Sequence, residues 1–385
     1  MFKHFDLKDI TKKNIQQNRE NIKHLIKKDV RNNNNNVSVL SEFYKKNMKK
    51  MNTFNNNAEM IEFIKRKEMI VEMDAKLTKI HENKITTINQ VYQESYTGNK
   101  HVTGFGDFIR GCYFLLEFCN EYNFTPKITI NHPIASLMKN VSETKERVNP
   151  DIPFFLENNM GQVNFDKDNY IIGYGKEANT RRKFIDYLFD LPTKEKNILN
   201  TYNISFPYKD AVISEKNKQY IRELIEPSEK LNLYVNKTLK ELSLEKKQYS
   251  VIHVRCGDKY LIEKSTELKN DFLYKIKSEI ESLIHVLKND KPTEQFLLIT
   301  DNNEIKKKLV NFFPEIKVFY KEITHLGEGV LLKKDKVENT LLDFFLLSHS
   351  NSIHAYTIYQ HGTGFSSWCA KTYDIPYKCM HISLY

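Results

Sequence analysis

The clearest signal in this 385-residue chain is the alternation of short apolar runs with helically spaced segments over its last third. Tyr249 to Arg255 predicts a strand. Phe272 to Leu287 predicts a helix, with apolar residues at 273, 276, 280, 283, 284 and 287. Strands follow at Phe296 to Thr300, Ile316 to Tyr320 and Ser352 to Tyr356. Between and after them lie a short helix, a helix over Val337 to Ser348, and a last one over Phe365 to Tyr373. Continuous apolar strands alternating with helices predict a parallel sheet covered on both faces.

Upstream, Val102 to Asp107 reads as a short strand running into a glycine turn. An apolar helix follows from Phe108 to Asn120, and then an alternating strand over Lys127 to Asn131. This strand–turn–helix–strand unit is half of a doubly wound α/β sheet. Between 140 and 245 the pattern is weaker: Tyr170 to Ile172 reads as a strand, and Glu215 to Leu242 as one or two helices. Residues 58–80 have helical spacing (Ile61, Ile64, Met69, Ile70, Met73, Leu77) without Pro or Gly, and the asparagine run Asn32 to Asn36 reads as a loop. The organisation expected is a basic, largely helical extension over 1–84 and two Rossmann-like α/β domains over 85–245 and 246–385, with a cleft between them.

Composition narrows the class. At 40% hydrophobic and 12% aromatic residues the chain can bury a real core, which excludes wholesale disorder. No apolar run approaches the ~20 residues of a membrane helix, and the densest, Leu341 to Leu347, carries Asp343. No apolar leader opens the sequence, so a cytoplasmic protein without a membrane span is expected. Five scattered cysteines without a CxxC pair point away from disulfide and zinc frameworks. The net charge of +10 is concentrated: residues 1–50 hold 13 Lys and Arg against 5 Asp and Glu, the other 335 residues 46 against 44. Nucleic-acid binding through the extension is an alternative that the charge leaves open, although AT-rich coding alone would produce the Lys, Asn and Ile excess.

Ligands of parallel sheets bind at the carboxyl ends of strands, which ranks the polar residues. His253 and Arg255 share one side of the first C-terminal strand, ahead of Cys256, Gly257, Asp258 and Lys259. The planar fork of Arg255 suits phosphate oxygens, or else pairs with Asp258 to close the strand end. Asp301 and Asn302 end the next strand, where a helix N-cap is equally natural. Asp343, flanked by apolar residues, is either the solvent-facing position of its helix or a carboxylate accepting two adjacent donors, the pattern of the N1–H and amino group of guanine. The loop Gly362 to Trp368 can open a helix as an anion site, with Ser366 and Ser367 near its start, or hold only a serine N-cap.

Three patterns mislead. Gly104 to Gly111 is not a GxGxxG fingerprint, so a nicotinamide cofactor is not expected. Asp166–Lys167–Asp168 imitates a metal-binding DxD but precedes an apolar strand, and His349, His354 and His361 lack metal-ligand spacing. No cofactor and no metal are expected.

Taken together and in order, these pieces resemble the GT-B fucosyltransferase superfamily: the α1,6 and nodulation enzymes with their α1,2- and protein O-fucosylating relatives. The likeness covers residues 101–130 and 249–375. Thr103 to Asp107 resembles the glycine turn opening the acceptor-side domain, Ile252 to Lys259 an HxRxxD motif, Leu297 to Asn302 a second motif and Leu341 to Trp368 a third. The resemblance implies a GT-B fold and an inverting, metal-independent transfer of fucose from GDP-fucose to a glycan hydroxyl. It implies that Arg255 holds the β-phosphate, His253 lies beside the nucleotide, Asp343 reads guanine, Ser366 and Ser367 with their backbone bind the diphosphate, and Phe365 belongs to the GDP-sugar site. Asp258, Lys259 and Asp301 would form the network around Arg255. Glu263 would stand where the α1,6 enzymes place a catalytic base, and Gly104, Gly106 and Asp107 would form the acceptor-side turn. Cys256 stands where the α1,6 and α1,2 enzymes carry a second arginine, which leaves a nucleotide- or glycan-binding homologue without activity as the alternative.

Overall fold

The computed structural model describes residues 74–82, 86–93, 104–141, 185, 188, 189, 198–202, 213–257, 270–327 and 333–383. Both sheets belong to one compact unit, Lys79–Tyr385.

The smaller sheet has strand order β2-β1-β3, all parallel, from β1 (Thr87–Gln93), β2 (Thr125–Asn131) and β3 (Ile198–Tyr202). Its central strand is not the one the sequence suggests. Val102 and Thr103 lie outside the described residues, and Phe105, Gly106 and Asp107 already form the first turn of helix α1 (Phe105–Tyr122). The true strand, TINQVYQ, hides its burial behind polar residues. Asn89 and Gln90 are buried, Asn89 accepting from Thr129 Oγ1 at 3.0 Å and Gln90 donating to the Phe108 carbonyl at 3.3 Å. The strand expected at Tyr170 to Ile172 lies outside the described residues.

Helix α1 buries twelve of its 18 residues, far more than one apolar stripe. It packs on β1 and β2 and also on helix α7 (Gly364–Tyr373) of the other half. Tyr113 stacks on Trp368 at 5.7 Å between centroids and donates to Thr372 Oγ1 at 3.0 Å, while Phe105 meets Phe344 edge-on at 4.9 Å. The segment 215–242 forms two helices, α2 (Glu215–Leu224) and α3 (Glu229–Glu241), capped by Ser214 and Ser228 on either side of a break containing Pro227.

The larger sheet has order β6-β5-β4-β7-β8, all parallel. Its strands are β4 (Tyr249–Arg255), β5 (Gln295–Thr300), β6 (Ile316–Val318), β7 (Ser352–Thr357) and β8 (Tyr377–His381), the last not anticipated from sequence. Helices α4 (Asn270–Asp290) and α5 (Asn303–Phe312) cover the face bearing Ile252, Val254, Phe296 and Leu298. Side chains alternate along a strand, so Val251, His253 and Arg255 project to the other face, the side of α6 (Lys334–Ser348) and α7. The strand order reverses at β4, with β5 on one side and β7 on the other, so the carboxyl ends of β4 and β7 flank the crevice where such sheets bind ligands.

Candidate functional site

A cleft of about 250 Å³ opens at those strand ends, and residues of both halves line it. From β4 come His253 and Arg255, from β5 Ile299, Thr300 and Asp301, and from α6 Thr340 and Asp343. The segment before α6 gives Ile323 to Leu326, the loop before α7 gives Tyr359 and His361 to Phe365, and the start of α1 gives Gly104 to Asp107.

Arg255 is held by Asp301, with which it makes an ion pair across the ends of neighbouring strands. The same carboxylate accepts from the backbone nitrogens of Cys256, at 2.8 Å, and Gly257, at 3.2 Å. Gly257 has φ +114°, a conformation that glycine adopts without strain, and this lets the chain turn sharply enough to bring both N–H groups onto one side chain. The helix cap after β5 is therefore Asn302, whose Oδ1 accepts from Glu304 and Ile305, while Asp301 is spent on the β4 exit. The pairing of Arg255 with Asp258 weighed from sequence, like Lys259 and Glu263, lies outside the described residues.

His253 is buried with Nδ1 2.8 Å from Ser366 Oγ, and burial, with a smaller push from Arg255, lowers its pKa to about 4. That bond turns the Ser366 side chain inward. Ser366 is wholly buried and turned to His253 and Tyr377, and Ser367 Oγ donates back to the Gly364 carbonyl at 3.4 Å. Neither lines the cleft; Gly362, Thr363, Gly364 and Phe365 do. The physical reason is helix phase: positions 366 and 367 are already inside the first turn of α7, and their side chains project away from its mouth.

Two helix N-termini meet at this cleft. Neither Gly104 before α1 nor Thr363 before α7 supplies a side-chain cap. Their first-turn N–H groups and positive dipole ends thus suit an anion. The approach is close: a Cβ on Gly106 would lie 2.6 Å from the Phe365 nitrogen. The glycine turn read as acceptor-side therefore also belongs to the cleft that holds Arg255. Asp107, on the rim, pairs with Arg110 at 2.9 Å. His361, set aside from sequence, lines the cleft, as does His325, whose Nδ1 accepts from Gly327 N at 3.2 Å.

The chemical anomaly of the cleft is Asp343. It is 3% exposed, and its buried Oδ2 has no hydrogen-bond partner among the described residues. Desolvation raises its pKa to about 6, opposed by the charge of Lys306. Buried carboxylate oxygens are ordinarily satisfied, so an unpartnered one on a residue that lines a cleft marks Asp343 as a candidate ligand acceptor. The solvent-facing reading of Asp343 is excluded. The backbone beside it is already committed: Thr340 Oγ1 donates to the Thr324 carbonyl and accepts from its N–H, and the Leu326 carbonyl pairs with His132 Nε2 at 2.9 Å. Lys306 escaped sequence reasoning, because in the run Lys306–Lys307–Lys308 it looks like one more surface lysine.

All five cysteines are free thiols. Among the described residues no three His, Cys, Asp or Glu side chains gather into a metal-holding group, and no helix is long and apolar enough to cross a membrane. The Asp166–Lys167–Asp168 triplet lies outside the described residues.

No known protein family's sequence pattern matches the chain. Comparison with curated proteins likewise finds no match. Solved structures do. NodZ α-1,6-fucosyltransferase soaked with GDP-fucose is 11% identical with a TM-score of 0.43, over 78% of this chain and 95% of that one. POFUT1 in complex with GDP is 11% identical with a TM-score of 0.39, over 77% and 99%. An Arabidopsis thaliana FUT1 variant in complex with GDP is 9% identical with a TM-score of 0.44, over 80% and 74%.

Proposed function

We propose that this protein is a glycosyltransferase that binds a GDP-sugar in the cleft and transfers the sugar, fucose by the resemblance of its motifs, to a glycan hydroxyl with inversion and without a metal. The buried, unpartnered Oδ2 of Asp343 carries the reading. A nucleobase presenting adjacent N–H donors satisfies it, and guanine does so through N1–H and its amino group. Adenine, with an acceptor at N1, does not.

The remaining geometry fits a diphosphate leaving group. Arg255, pre-oriented by Asp301, faces the uncapped N-termini of α1 and α7 across the same cleft. Charge that develops on departing GDP meets a guanidinium and two dipole ends without reorganisation. His253, neutral and tied to Ser366, fixes the strand end beside α7. Proton removal from the acceptor hydroxyl falls to a carboxylate, with Glu263 the residue that motif position favours.

One observation favours a second reading, a nucleotide-binding homologue that does not transfer. Cys256 occupies the place of a second arginine and is packed in the core with Ile252, Val254 and α4, so that position brings no cation to the diphosphate. A thermal-shift series with GDP, GDP-fucose, GDP-mannose and UDP-GlcNAc, with and without EDTA, tests the proposal. Ligand at 100 times Kd adds about 2.7 kcal/mol of stability. Guanine nucleotides alone should stabilise the protein, independently of EDTA, and the effect should vanish in Asp343→Ala. Indifference to every guanine nucleotide refutes the proposal; binding without any turnover of GDP-fucose selects the second reading.

A further inference from the structure

The cleft wall contributed by residues 323–326 belongs to a stretch, 321–327, that is neither helix nor strand, between β6 and α6. Such a stretch holds one position only if its buried backbone groups find partners. Its first half is tied within the larger-sheet half. Asn303 Nδ2 donates to the Lys321 carbonyl at 3.3 Å and Asn339 Nδ2 to the Glu322 carbonyl at 2.9 Å. Thr324 is bonded at both backbone groups to Thr340 Oγ1, and Thr340 stands three residues before Asp343, on the same face of α6. Past Thr324 the ties cross to the smaller-sheet half. The Leu326 carbonyl accepts from His132 Nε2 at 2.9 Å, and a Cβ on Gly104 would lie 3.2 Å from His325 Nε2.

We propose that His132 is a positioning residue for nucleobase recognition: reaching across from the smaller-sheet half, its Nε2–H holds the Leu326 carbonyl and so fixes segment 323–326 as the wall beside Asp343. The inference rests on the GDP-sugar reading of the cleft. His132 follows β2 directly and caps the short turn Pro133–Leu137, where its Nδ1 accepts from the Ile134 N–H at 3.3 Å. A carbonyl only accepts and a backbone N–H only donates, so the two contacts admit one arrangement, a neutral ring with its proton on Nε2. Burial favours the same form, lowering the pKa to about 4. The ring is itself held, stacked on Tyr92 of β1 with centroids 4.6 Å apart, and the turn it caps packs on α6. A contiguous chain of contacts thus runs from the end of β2 through Leu326, Thr324 and Thr340 to the helix face that carries Asp343.

The two ring nitrogens can be tested apart. In His132→Gln the amide nitrogen reaches the place of Nε2 and still donates to Leu326, but the acceptor for Ile134 is gone. In His132→Asn the amide oxygen takes the place of Nδ1 and still caps the turn, but nothing reaches Leu326. Both variants lose the stack on Tyr92, so the comparison isolates the bond to the cleft wall. The experiment measures Tm and, by calorimetry, Kd for guanosine and GDP on the full chain and both variants. Each variant should have a lower Tm. His132→Gln should keep guanosine affinity within about threefold, whereas His132→Asn should lose about fivefold or more, the weight of one buried hydrogen bond. GDP should follow guanosine, because the Arg255 contact is untouched. An Asn variant that binds guanosine as the wild type does, or a Gln variant that loses as much as Asn, overturns the inference. Hydrogen exchange on the wild type does not depend on the variants folding: guanosine should slow exchange both in 323–327 and at Ile134, and slowing that spares Ile134 overturns the inference as well. A wild type that binds neither guanosine nor GDP would instead overturn the GDP-sugar reading, and this inference with it.

Discussion

Arg255 and Asp301 close on each other across the carboxyl ends of β4 and β5, and the carboxylate that orients the guanidinium also collects the N–H groups of Cys256 and Gly257. One acidic side chain thus fixes both the arginine and the turn that follows it. Arg255→Ala should weaken GDP by about 10- to 100-fold, the range of one or two charge-assisted hydrogen bonds, and leave guanosine affinity within a few-fold. Calorimetry with the two ligands checks this; equal losses for both would mean that the cleft wall, not the phosphate contact, had failed.

Asp343→Asn should abolish measurable GDP binding and, without ligand, stabilise the protein. The folded-state pKa is raised to about 6 from 3.8, so ionisation of Asp343 opposes folding. That cost grows as pH rises from about 4 to about 6 and is full above it. The variant should gain up to about 3 kcal/mol at pH 7.5 and little near pH 4. Urea unfolding at the two pH values measures the difference.

Burial pushes His132, His253 and His349 down to about 4 from 6.5. For a depressed histidine the stabilisation is complete above 6.5 and is lost as pH falls toward 4, because the unfolded chain then binds the proton and the folded one does not. Three such groups outweigh the opposite contribution of Asp343 in the same window, so the urea midpoint should fall between pH 6.5 and 4.5. His253→Gln should flatten that fall, and an unchanged slope would mean that His253 titrates normally.

Gly106→Ala places a methyl group against the Gly364–Phe365 backbone, which cannot retreat as a flexible side chain could. The expected cost is about 1–3 kcal/mol, together with a weaker response to GDP because the two helix N-termini are forced apart. A lower Tm with an unaltered GDP shift would separate packing from binding.

Glu263→Gln should leave GDP-fucose binding intact and lower turnover by about 100-fold or more, the usual weight of a general base. Asp107→Asn is the informative comparison, since Asp107 also lines the cleft. If Asp107→Asn and not Glu263→Gln loses turnover, the base lies at the start of α1.

The last third of the chain could be read from sequence because its strands are continuous apolar runs and its helices keep a helical period, so local chemistry and tertiary environment agree. That alternation determined that the strands run parallel, and it placed His253, Arg255 and Asp301 at strand ends. It could not find β1, whose Asn89 and Gln90 are polar in sequence and buried only because neighbouring strands and α1 close over them. Nor could it orient residues near helix starts, where one residue is a 100° turn: Ser366 and Ser367 face inward and the backbone of 363–365 faces the cleft. The partner of Arg255 lies 46 positions along the chain and that of the buried Lys306 13 positions, and Asp343 Oδ2 is isolated by the fold around its helix. Sequence proximity favours a solvated lysine face and gives no reason to join Arg255 to Asp301; only the folded sheet, which sets the ends of β4 and β5 side by side, decides both.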